Sequence, residues 1–518
     1  MSKKIHFRKK SILVKMVASL MIPLVLMFAI LCGTIFCGGM TQQLRKNAFD
    51  ILEERVASRR DNLQVEMVQQ WANINESMDF INEQADKILS ENGVEADAFT
   101  ADSPLSGTLI NTVSERLMYQ LRRSAVTGIF LILNGAEPIS SPAVDAVQTR
   151  AGFYLRDYDP DTSPNNNSDF MLERAPMAFV KDHSIALDTY WQPTFVFRAD
   201  ENNDYYYRPY QAALSQIEAD AENLGYWGTP SALNENGDAS ITYSLPLLTA
   251  DGKPYGVLGV EISVEMLIKK MPYNEINGDI KGSYVLVQQK QKEMQFDKMV
   301  SSGPYFKTIF GAHSTGFTLE ETPVEGDSYA VRQDVRDAGK VYGSVQYLKL
   351  YNSNTPFENE QWALIGILQD ETLLALYHNI KNYLWIALIS AFSIGIGGVV
   401  WVGLHFAKPI TQLAQNVRES DPTHPVHLKK IDVAEIDELS TAVETLSQSV
   451  AESYSTLSTI MALAGYRIGA FEYLADSQTV KYTDAFFAVP GFAGPNDASG
   501  TLSMDEFRRW SARLSTYP

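Results

Sequence analysis

Residues 383–404 read YLWIALISAFSIGIGGVVWVGL, and no charged residue interrupts them. A second uncharged run extends from Met16 to Leu44. Each run is longer than the roughly 18–20 apolar residues that cross about 30 Å of hydrocarbon. We therefore predict two membrane-spanning helices, at 16–39 and 383–405, with residues 40–382 lying between them on one side of the membrane.

Basic residues beside the two runs predict their orientation. Lysines and arginines flank the first run on its N-terminal side and the second on its C-terminal side: Lys3, Lys4, Arg8, Lys9, Lys10 and Lys15, and then Lys408, Arg418, Lys429 and Lys430. Such residues favour the cytoplasmic side. We expect a cell-membrane protein with residues 1–15 and 406–518 inside and 40–382 outside. The first run exceeds the 7–15 residues of a signal-peptide core, which favours an uncleaved anchor.

The composition restricts the functional classes. The formal net charge of −19 over 518 residues argues against nucleic-acid binding. The two cysteines, Cys32 and Cys37, both lie in the first run, so the outer segment has no disulfide. A calcium loop of the Asp157-Asp159-Asp161 kind would need glycine and glutamate where Thr162 and Ser168 stand. We expect no metal and no cofactor.

The outer segment has the pattern of a mixed, α+β, two-module domain. Residues 41–91 lack glycine and proline and carry apolar residues at helical spacing, which predicts one long helix. Short apolar runs follow and predict strands, including 127–133, 241–247 and 255–262, with a hairpin turn at Asp251-Gly252. We expect a distal module at about 92–265 and a smaller proximal module at about 266–371, followed by a helix that leads into the second span.

A long helix followed by two PAS-like α/β modules between two spans resembles the double Cache sensor fold. The string YYYRPYQAA at 205–213 is similar to the R-P-W-Y-x-x-A segment of that family. The hairpin that contains ITYSLP at 241–246 and GVLGVEI at 256–262 is similar to its closing hairpin. The resemblance covers approximately residues 41–382 and implies an extracellular small-molecule ligand.

The resemblance also implies site residues. In amino-acid-binding members the arginine and an aromatic residue of the segment hold the ligand carboxylate, which assigns that role to Arg208 and Tyr210; Glu261 stands where an aspartate pairs with the amine. Ser231 and Leu233 stand near positions where the family has a tyrosine and an aspartate, so the ligand stays open between an organic acid and an amino-acid-like molecule. Four further aromatic residues are expected to line the pocket or to fill the core: Trp191, Tyr226, Trp227 and Tyr243.

The segment after the second span has the pattern of a relay between helices. An apolar a/d pattern continues past the span, a connector with Pro422 and Pro425 follows, and a second heptad pattern begins near Glu435. Two such helices bury their apolar stripes only when two copies meet, which predicts a homodimeric, parallel four-helix bundle. This arrangement resembles a HAMP domain at 406–452, with these relay residues: Pro409, Ile410, Leu413, Glu435, Ile436, Leu439, Val443 and Leu446.

The C-terminal residues predict a further connection to an output. A signalling helix at 453–465 leads to 466–518, which resemble the opening half of a PAS domain, and we expect the chain to be an input half. No catalytic motif of a kinase or a cyclase is present, so no catalytic residue is assigned and an enzymatic activity stays open. The resemblance implies synthesis of cyclic-di-GMP by a diguanylate cyclase module. The alternatives are a histidine kinase, a chemoreceptor and a non-signalling truncated binding protein.

Overall fold

The computed structural model describes residues 12–37, 39–143, 146–160, 169–216, 219–233, 237–278, 281–290, 294–332, 339–420, 424–430, 434–463, 471–474, 478–482 and 501–514. The chain forms two compact units, one of Thr34–Trp385 and one of Met1–Gly33 with Ile386–Pro518. Several earlier predictions lie wholly or partly outside the described residues, namely the acidic loop beyond Asp159, the connector residue Pro422 and most of the PAS-like segment.

The described helices alternate with strands in the order of a mixed fold. The helices are α1 (Ile12–Cys37), α2 (Met40–Val65), α3 (Asn75–Asn92), α4 (Pro104–Ser124), α5 (Met177–Asp182), α6 (Asp204–Ser215), α7 (Val264–Lys270), α8 (Asn274–Asn277), α9 (Tyr305–Phe310), α10 (Asp370–Leu373), α11 (Ala375–Glu419), α12 (Ala434–Leu463) and α13 (Met504–Leu514). The mixed helix and sheet content agrees with the predicted α+β class.

We call the unit of Thr34–Trp385 the outer unit, after the orientation that the sequence predicts. Its strands belong to two separate sheets and a short ribbon. The strands are β1 (Gly128–Leu133), β2 (Val147–Arg150), β3 (Gly152–Asp157), β4 (Phe170–Arg174), β5 (Ala186–Gln192), β6 (Phe195–Arg198), β7 (Tyr226–Ser231), β8 (Ser240–Leu248), β9 (Pro254–Ser263), β10 (Gly282–Gln289), β11 (Gln295–Ser302), β12 (Gly316–Glu325), β13 (Ser328–Val331), β14 (Val341–Leu348) and β15 (Trp362–Gln369). Strands β16 (Phe471–Leu474), β17 (Thr479–Tyr482) and β18 (Thr501–Ser503) form a third sheet in the other unit.

The sequence predicted one long helix over 41–91, which we call the spine, but this segment is interrupted in the structure. Helix α2 passes into a π-helical turn at Glu66–Trp71, and α3 begins only at Asn75. Packing explains the interruption, because Trp71 and Ile74 are both buried in the core. The side-chain Nε2 of Gln120, on α4, donates to the carbonyl oxygen of Asn73 at 2.9 Å and so satisfies a group that the interruption frees.

The distal sheet has the strand order β5-β4-β3-β1-β9-β8-β7. Its central strand β1, with the sequence GIFLIL, is buried along its whole length because both faces are covered. One face packs on α3 and α4 through Ile129, Leu131 and Leu133. The other face packs on α6 and β6 through Phe130 and Ile132. The β8–β9 turn contains Gly252 at a φ of +80°, as the Asp251-Gly252 pair predicted.

The proximal module is a closed barrel of strands β10 to β15 in chain order. Its interior is filled by aliphatic and aromatic residues, among them Val285, Phe306 and Ile365. The loop between β14 and β15, residues 349–361, leaves the barrel and contacts the distal module. We call this loop the arm.

The other unit contains most of the two apolar helices, α1 and α11. By length and composition, α1 and α11 are each able to cross a membrane. A Cβ atom added to Gly395 would lie 2.7 Å from Leu24, and one added to Gly403 would lie 2.6 Å from Val17. The small residues of α11 therefore allow α1 of the same chain to approach closely.

Candidate functional site

A row of polar residues crosses the distal sheet on the face that α6 covers. The register of the strands pairs Gly128 with Arg156 on one side and with Glu261 on the other, and Glu261 in turn pairs with Thr242. Residues that pair across neighbouring strands point to the same face of a sheet. Gly128 gives the Glu261 carboxylate room to lie across β1, because a Cβ there would lie 2.8 Å from that carboxylate.

These residues belong to a buried charge cluster, which we define as Tyr154, Arg156, Glu173, Arg174 and Glu261. Arg156 Nη2 lies 3.2 Å from Glu261 Oε1, and Arg156 Nη1 lies 3.9 Å from Glu173 Oε1. Arg174 Nη1 lies 3.9 Å from the other oxygen of Glu173. The hydroxyl of Tyr154 donates to Glu261. The charged side chains of the cluster are at most 6% exposed, so water does not screen them.

Burial governs the protonation of the cluster. It raises the pKa of the Glu261 carboxyl, and the nearby charge of Arg156 and the Tyr154 hydroxyl act in the opposite direction. Burial also raises the pKa of Tyr154, and the negative charge of Glu261 raises it further. Tyr154 therefore keeps its proton at neutral pH and serves as a hydrogen-bond donor. Two guanidinium groups and two carboxylates balance the formal charge of the cluster.

Several polar atoms around the cluster have no hydrogen-bond partner among the described residues. They are Arg156 Nε, Arg174 Nε, Thr242 Oγ1 and Ser244 Oγ. Ser244 lies two residues from Thr242 on β8 and therefore faces the same way. A buried polar atom without a partner costs about 1–3 kcal/mol. The cluster thus keeps unused hydrogen-bond donors and acceptors in a buried place.

Aromatic rings from α6 and β6 cover the cluster. The Tyr205 ring packs edge-on against Phe130 with 5.6 Å between centroids, and Phe197 lies 5.1 Å from Tyr206. Tyr206 also donates a hydrogen bond to Asn134 Oδ1 at 2.5 Å. The YYYRPY string at 205–210 buries every residue except Arg208. This string therefore forms a mainly aromatic layer, which we call the cover, over the charge cluster.

Arg208, predicted to hold a ligand carboxylate, has a partner within the protein. It forms an ion pair with Glu360 of the arm, and its Nη1 donates to the Tyr226 hydroxyl at 3.3 Å. Its guanidinium lies 4.6 Å from the centre of the Tyr226 ring and 5.1 Å from that of Phe357. Arg208 thus connects α6, which covers the charge cluster, to the proximal module. Its role in ligand binding stays a prediction.

Tyr210 and Tyr226 lie on the α6 side of the distal sheet. The hydroxyl of Tyr210 donates to the carbonyl oxygen of Pro254 at 2.6 Å, and its ring is buried. Tyr226 pairs with Ser244, which places it on the same face as Glu261, and its ring packs 4.9 Å from Phe357 of the arm. Both tyrosines are therefore part of the cover and of its contact with the arm.

Trp227 and Tyr243 point to the opposite face from Glu261. Tyr243 pairs with Val260, the residue before Glu261, and successive side chains on a strand alternate between faces. The Trp227 and Tyr243 rings lie 5.0 Å apart in the core that α3 and α4 share. They also line a cleft on that side of the sheet. Trp191, near the end of β5, packs half-buried against the same core.

The predicted relay residues lie on two long helices. Pro409, Ile410 and Leu413 lie within the continuous helix α11, and Glu435 to Leu446 lie on α12. The connector docks on α12, where the backbone N–H of Val426 donates to Ser447 Oγ at 3.0 Å. Leu439 and Leu446 are 51% and 67% exposed in the single chain. The apolar stripe to which they belong is therefore left open to solvent.

Sequence reasoning singled out Glu261 but missed the partners that surround it. Arg156 lies two residues after Tyr154 on β3, a buried strand that ends at Asp157, and Glu173-Arg174 end the next strand. Charged residues inside a fully buried strand were the available signal, since such residues are almost never buried unless they are paired. Among the described residues, no group of three or more His, Cys, Asp or Glu side chains is placed to hold a metal ion.

No protein-family model and no curated protein matches the chain. Among solved structures, it is similar to the extracellular domain of soHK1S-Z6, assigned as a histidine kinase, at 14% identity, covering 64% of this chain and 98% of that one, with a TM-score of 0.36. It is similar to the periplasmic sensory domain of the Campylobacter jejuni chemoreceptor Tlp1, at 12% identity, 64% and 98% coverage and a TM-score of 0.34. A third similar structure is the ligand-binding domain of the Pseudomonas fluorescens chemoreceptor CtaA in complex with L-isoleucine. It is 13% identical, the match covers 65% of this chain and 98% of that one, and the TM-score is 0.30. At these identities and TM-scores the likeness assigns no family and no ligand to this chain.

Proposed function

We propose that the chain is a membrane sensor whose distal module binds a small zwitterion, such as an α-amino acid, at the buried charge cluster. The observation that carries this proposal is a charge-balanced set of arginines and glutamates, sealed under α6, that keeps unpartnered polar atoms. A guanidinium suits a carboxylate, and a buried carboxylate suits an ammonium group. Arg156 and Arg174 would bind the ligand carboxylate, and Glu261 would bind its amine.

The decisive experiment replaces Glu261 by Gln in the detergent-solubilised full chain. Thermal stabilisation is measured with each of the standard L-amino acids. We expect at least one to stabilise the parent protein, and we expect Glu261→Gln to weaken that ligand by about 10- to 150-fold, because it removes a charge-assisted contact. Glu265→Gln, at an exposed glutamate of α7, is the matched control. Unchanged affinity in Glu261→Gln would move the site elsewhere.

Arg208 separates two versions of this proposal. If Arg208 links the cover to the arm, Arg208→Ala leaves the affinity for the stabilising amino acid within about twofold. A loss of affinity as large as that of Glu261→Gln would instead assign the carboxylate to Arg208, as the sequence resemblance implies. Equilibrium dialysis of the same labelled amino acid measures both variants under one condition.

The signal would leave the distal module through the arm. Ligand binding beneath α6 would change the position of Arg208, and its ion pair would carry that change to Glu360. Glu360 immediately precedes the pair Gln361-Trp362 at the start of β15, whose end leads through α10 to α11. A relay of this kind needs two packing states that the ligand distinguishes.

The remaining parts of the proposal follow from the sequence. Residues 40–382 would face the outside, α1 and part of α11 would cross the membrane, and residues 406–452 of two copies would form a HAMP-type bundle. The output that best suits this order of segments is cyclic-di-GMP synthesis by a cyclase module. A cysteine at exposed Ser353, in a chain whose Cys32 and Cys37 are replaced by Ser, should react with an impermeant thiol reagent on intact cells.

A further inference from the structure

The cleft beside Trp227 and Tyr243 lies on the helix side of the distal sheet, on the opposite face from the charge cluster. Its volume is about 400 Å³, and Trp227 and Tyr243 line it. Its other walls come from the interrupted spine near Asn73, from the segment that precedes β7, and from Tyr351 of the arm. The cleft therefore touches three parts of the outer unit at one place.

The lining has the chemistry of a site for a neutral molecule. Five side-chain carboxamides surround the cleft, and within the described residues none of them makes a hydrogen bond: Gln69, Asn73, Asn75, Asn223 and Asn352. The described lining contains the carboxylate of Glu222 but no lysine, arginine or histidine. An anion would find no cationic partner there, and the cleft offers an amine only one exposed carboxylate.

A carboxamide donates and accepts hydrogen bonds at the same time, and so does an alcohol. Neighbouring hydroxyl groups therefore match a ring of carboxamides better than a charged group does. Leu350, Val68 and the aromatic floor supply apolar surface for the C–H groups of such a molecule. We propose that this cleft binds a neutral polyhydroxylated molecule of the size of a monosaccharide.

Trp227 provides an independent sign of an incomplete site. It is 1% exposed, and its indole Nε1 has no hydrogen-bond partner among the described residues. Its backbone N–H, by contrast, donates to the hydroxyl of Tyr351 at 3.0 Å. A hydroxyl acceptor within the cleft is the kind of partner that a buried indole N–H requires.

The cleft lies between the spine and the arm, so a molecule bound there would contact both modules. The π-helical turn at Glu66–Trp71 and the gap before α3 form one wall. π-helical turns occur frequently at functional sites. A molecule that bonds both Asn73 of the spine and Asn352 of the arm would hold the two modules in one arrangement. It would act on the same arm as the amino acid that we propose for the charge cluster, but through a separate site.

The test uses the detergent-solubilised full chain and three probes, namely D-glucose, D-galactose and D-ribose. Equilibrium dialysis with labelled sugar should give saturable binding of at least one of them. The double variant Asn73→Ala/Asn352→Ala should lower that affinity by about tenfold, because it removes two hydrogen-bonding groups. Gln70→Ala is the control, since Gln70 lies in the same π-helical turn but does not line the cleft.

Two results would overturn the proposal: no saturable binding of any of the three sugars, or equal affinity of the double variant and the parent. An unchanged midpoint of thermal unfolding verifies that the double variant is folded. If it is not, Gln69→Ala replaces it with the same expected direction. Glu261→Gln should retain sugar binding in full, so failure of the amino-acid site and failure of this cleft remain distinguishable.

Discussion

Asp157 is a buried carboxyl next to the charge cluster in sequence but on the other face of the sheet. It is 3% exposed, and burial raises the pKa of its carboxyl to about 6, although the backbone N–H of Asp159 donates to it at 3.1 Å. The nearby charges of Asp169 and Asp159 raise this pKa as well. The folded protein therefore binds this proton more tightly than the unfolded chain does.

This difference predicts how stability depends on pH. The stability that protonated Asp157 contributes is present in full below the ordinary pKa of 3.8 and is lost as the pH rises through about 6. The loss amounts to about 3 kcal/mol. We expect Asp157→Asn to raise the free energy of unfolding by up to that amount at about pH 8, and to change it little at about pH 3.

Urea denaturation at several pH values measures this effect. Asp182→Asn, at an exposed aspartate of α5, serves as the matched control for the substitution itself. A gain in Asp157→Asn that is the same at both pH values would show that the carboxyl is not the titrating group.

At the scale of elements, α6 and the arm form the contact between the two outer modules. The ion pair of Arg208 and Glu360 is accompanied by ring contacts of Tyr226 with Phe357. The Arg208 side chain is 37% exposed, so solvent weakens the ion pair, whereas the stacking of its guanidinium on two rings adds to it.

A charge exchange tests this contact. Arg208→Glu alone places two carboxylates together and should destabilise the outer unit by about 1 kcal/mol or more. The double variant Arg208→Glu/Glu360→Arg should recover most of that loss, although it does not restore the ring stacking in the same place. The coupling energy from a double-mutant cycle in urea denaturation is the measured quantity.

A matched pair within one module gives the comparison. Lys290 Nζ lies 3.0 Å from Asp297 Oδ1 on the surface of the proximal barrel, and exchanging these two charges should leave the response to the bound amino acid unchanged. Arg208→Glu should reduce that response. Equal effects of the two exchanges on the response would mean that the arm carries no signal.

At the scale of the whole molecule, α12 carries an apolar stripe that a single chain leaves open. Leu439, Leu446, Val450, Leu457 and Ile460 are each between 47% and 67% exposed. Such a stripe at heptad spacing is stable in water when a second copy covers it. We expect two chains to pair through α12 in parallel.

Cysteine cross-linking tests the pairing. In a chain with Cys32→Ser and Cys37→Ser, Leu446→Cys should form a disulfide-linked dimer in membranes, whereas Gln448→Cys, on the opposite side of the helix, should not. Adding Leu439→Glu should abolish the cross-link, because two like charges would meet in a desolvated stripe at a cost of several kcal/mol. Cross-linking that persists with Leu439→Glu would exclude this stripe as the dimer contact.

Local patterns in the sequence determined the elements of this protein. The length and apolarity of α1 and α11 predicted them as the two helices able to cross a membrane. The apolar runs at β1, β8 and β9 predicted strands. The Asp251-Gly252 turn was predictable because a tight hairpin turn needs a residue that tolerates positive φ. Each of these features depends on neighbours a few residues apart, and sequence spacing reports such neighbours directly.

The tertiary structure alone decided the site. Glu261 lies on β9 and Arg156 on β3, and their side chains meet across the strand between them, β1. A shift of one residue in the register of either strand would turn its side chain to the other face of the sheet. The same alternation turns Tyr243 away from Glu261, although both residues were predicted to line one pocket. Packing of Trp71 and Ile74 interrupted a spine that its own sequence predicts as one helix. Strand order and register determine which residues more than a hundred positions apart become partners. They decide which side chains lie on the same face of the sheet and are buried together.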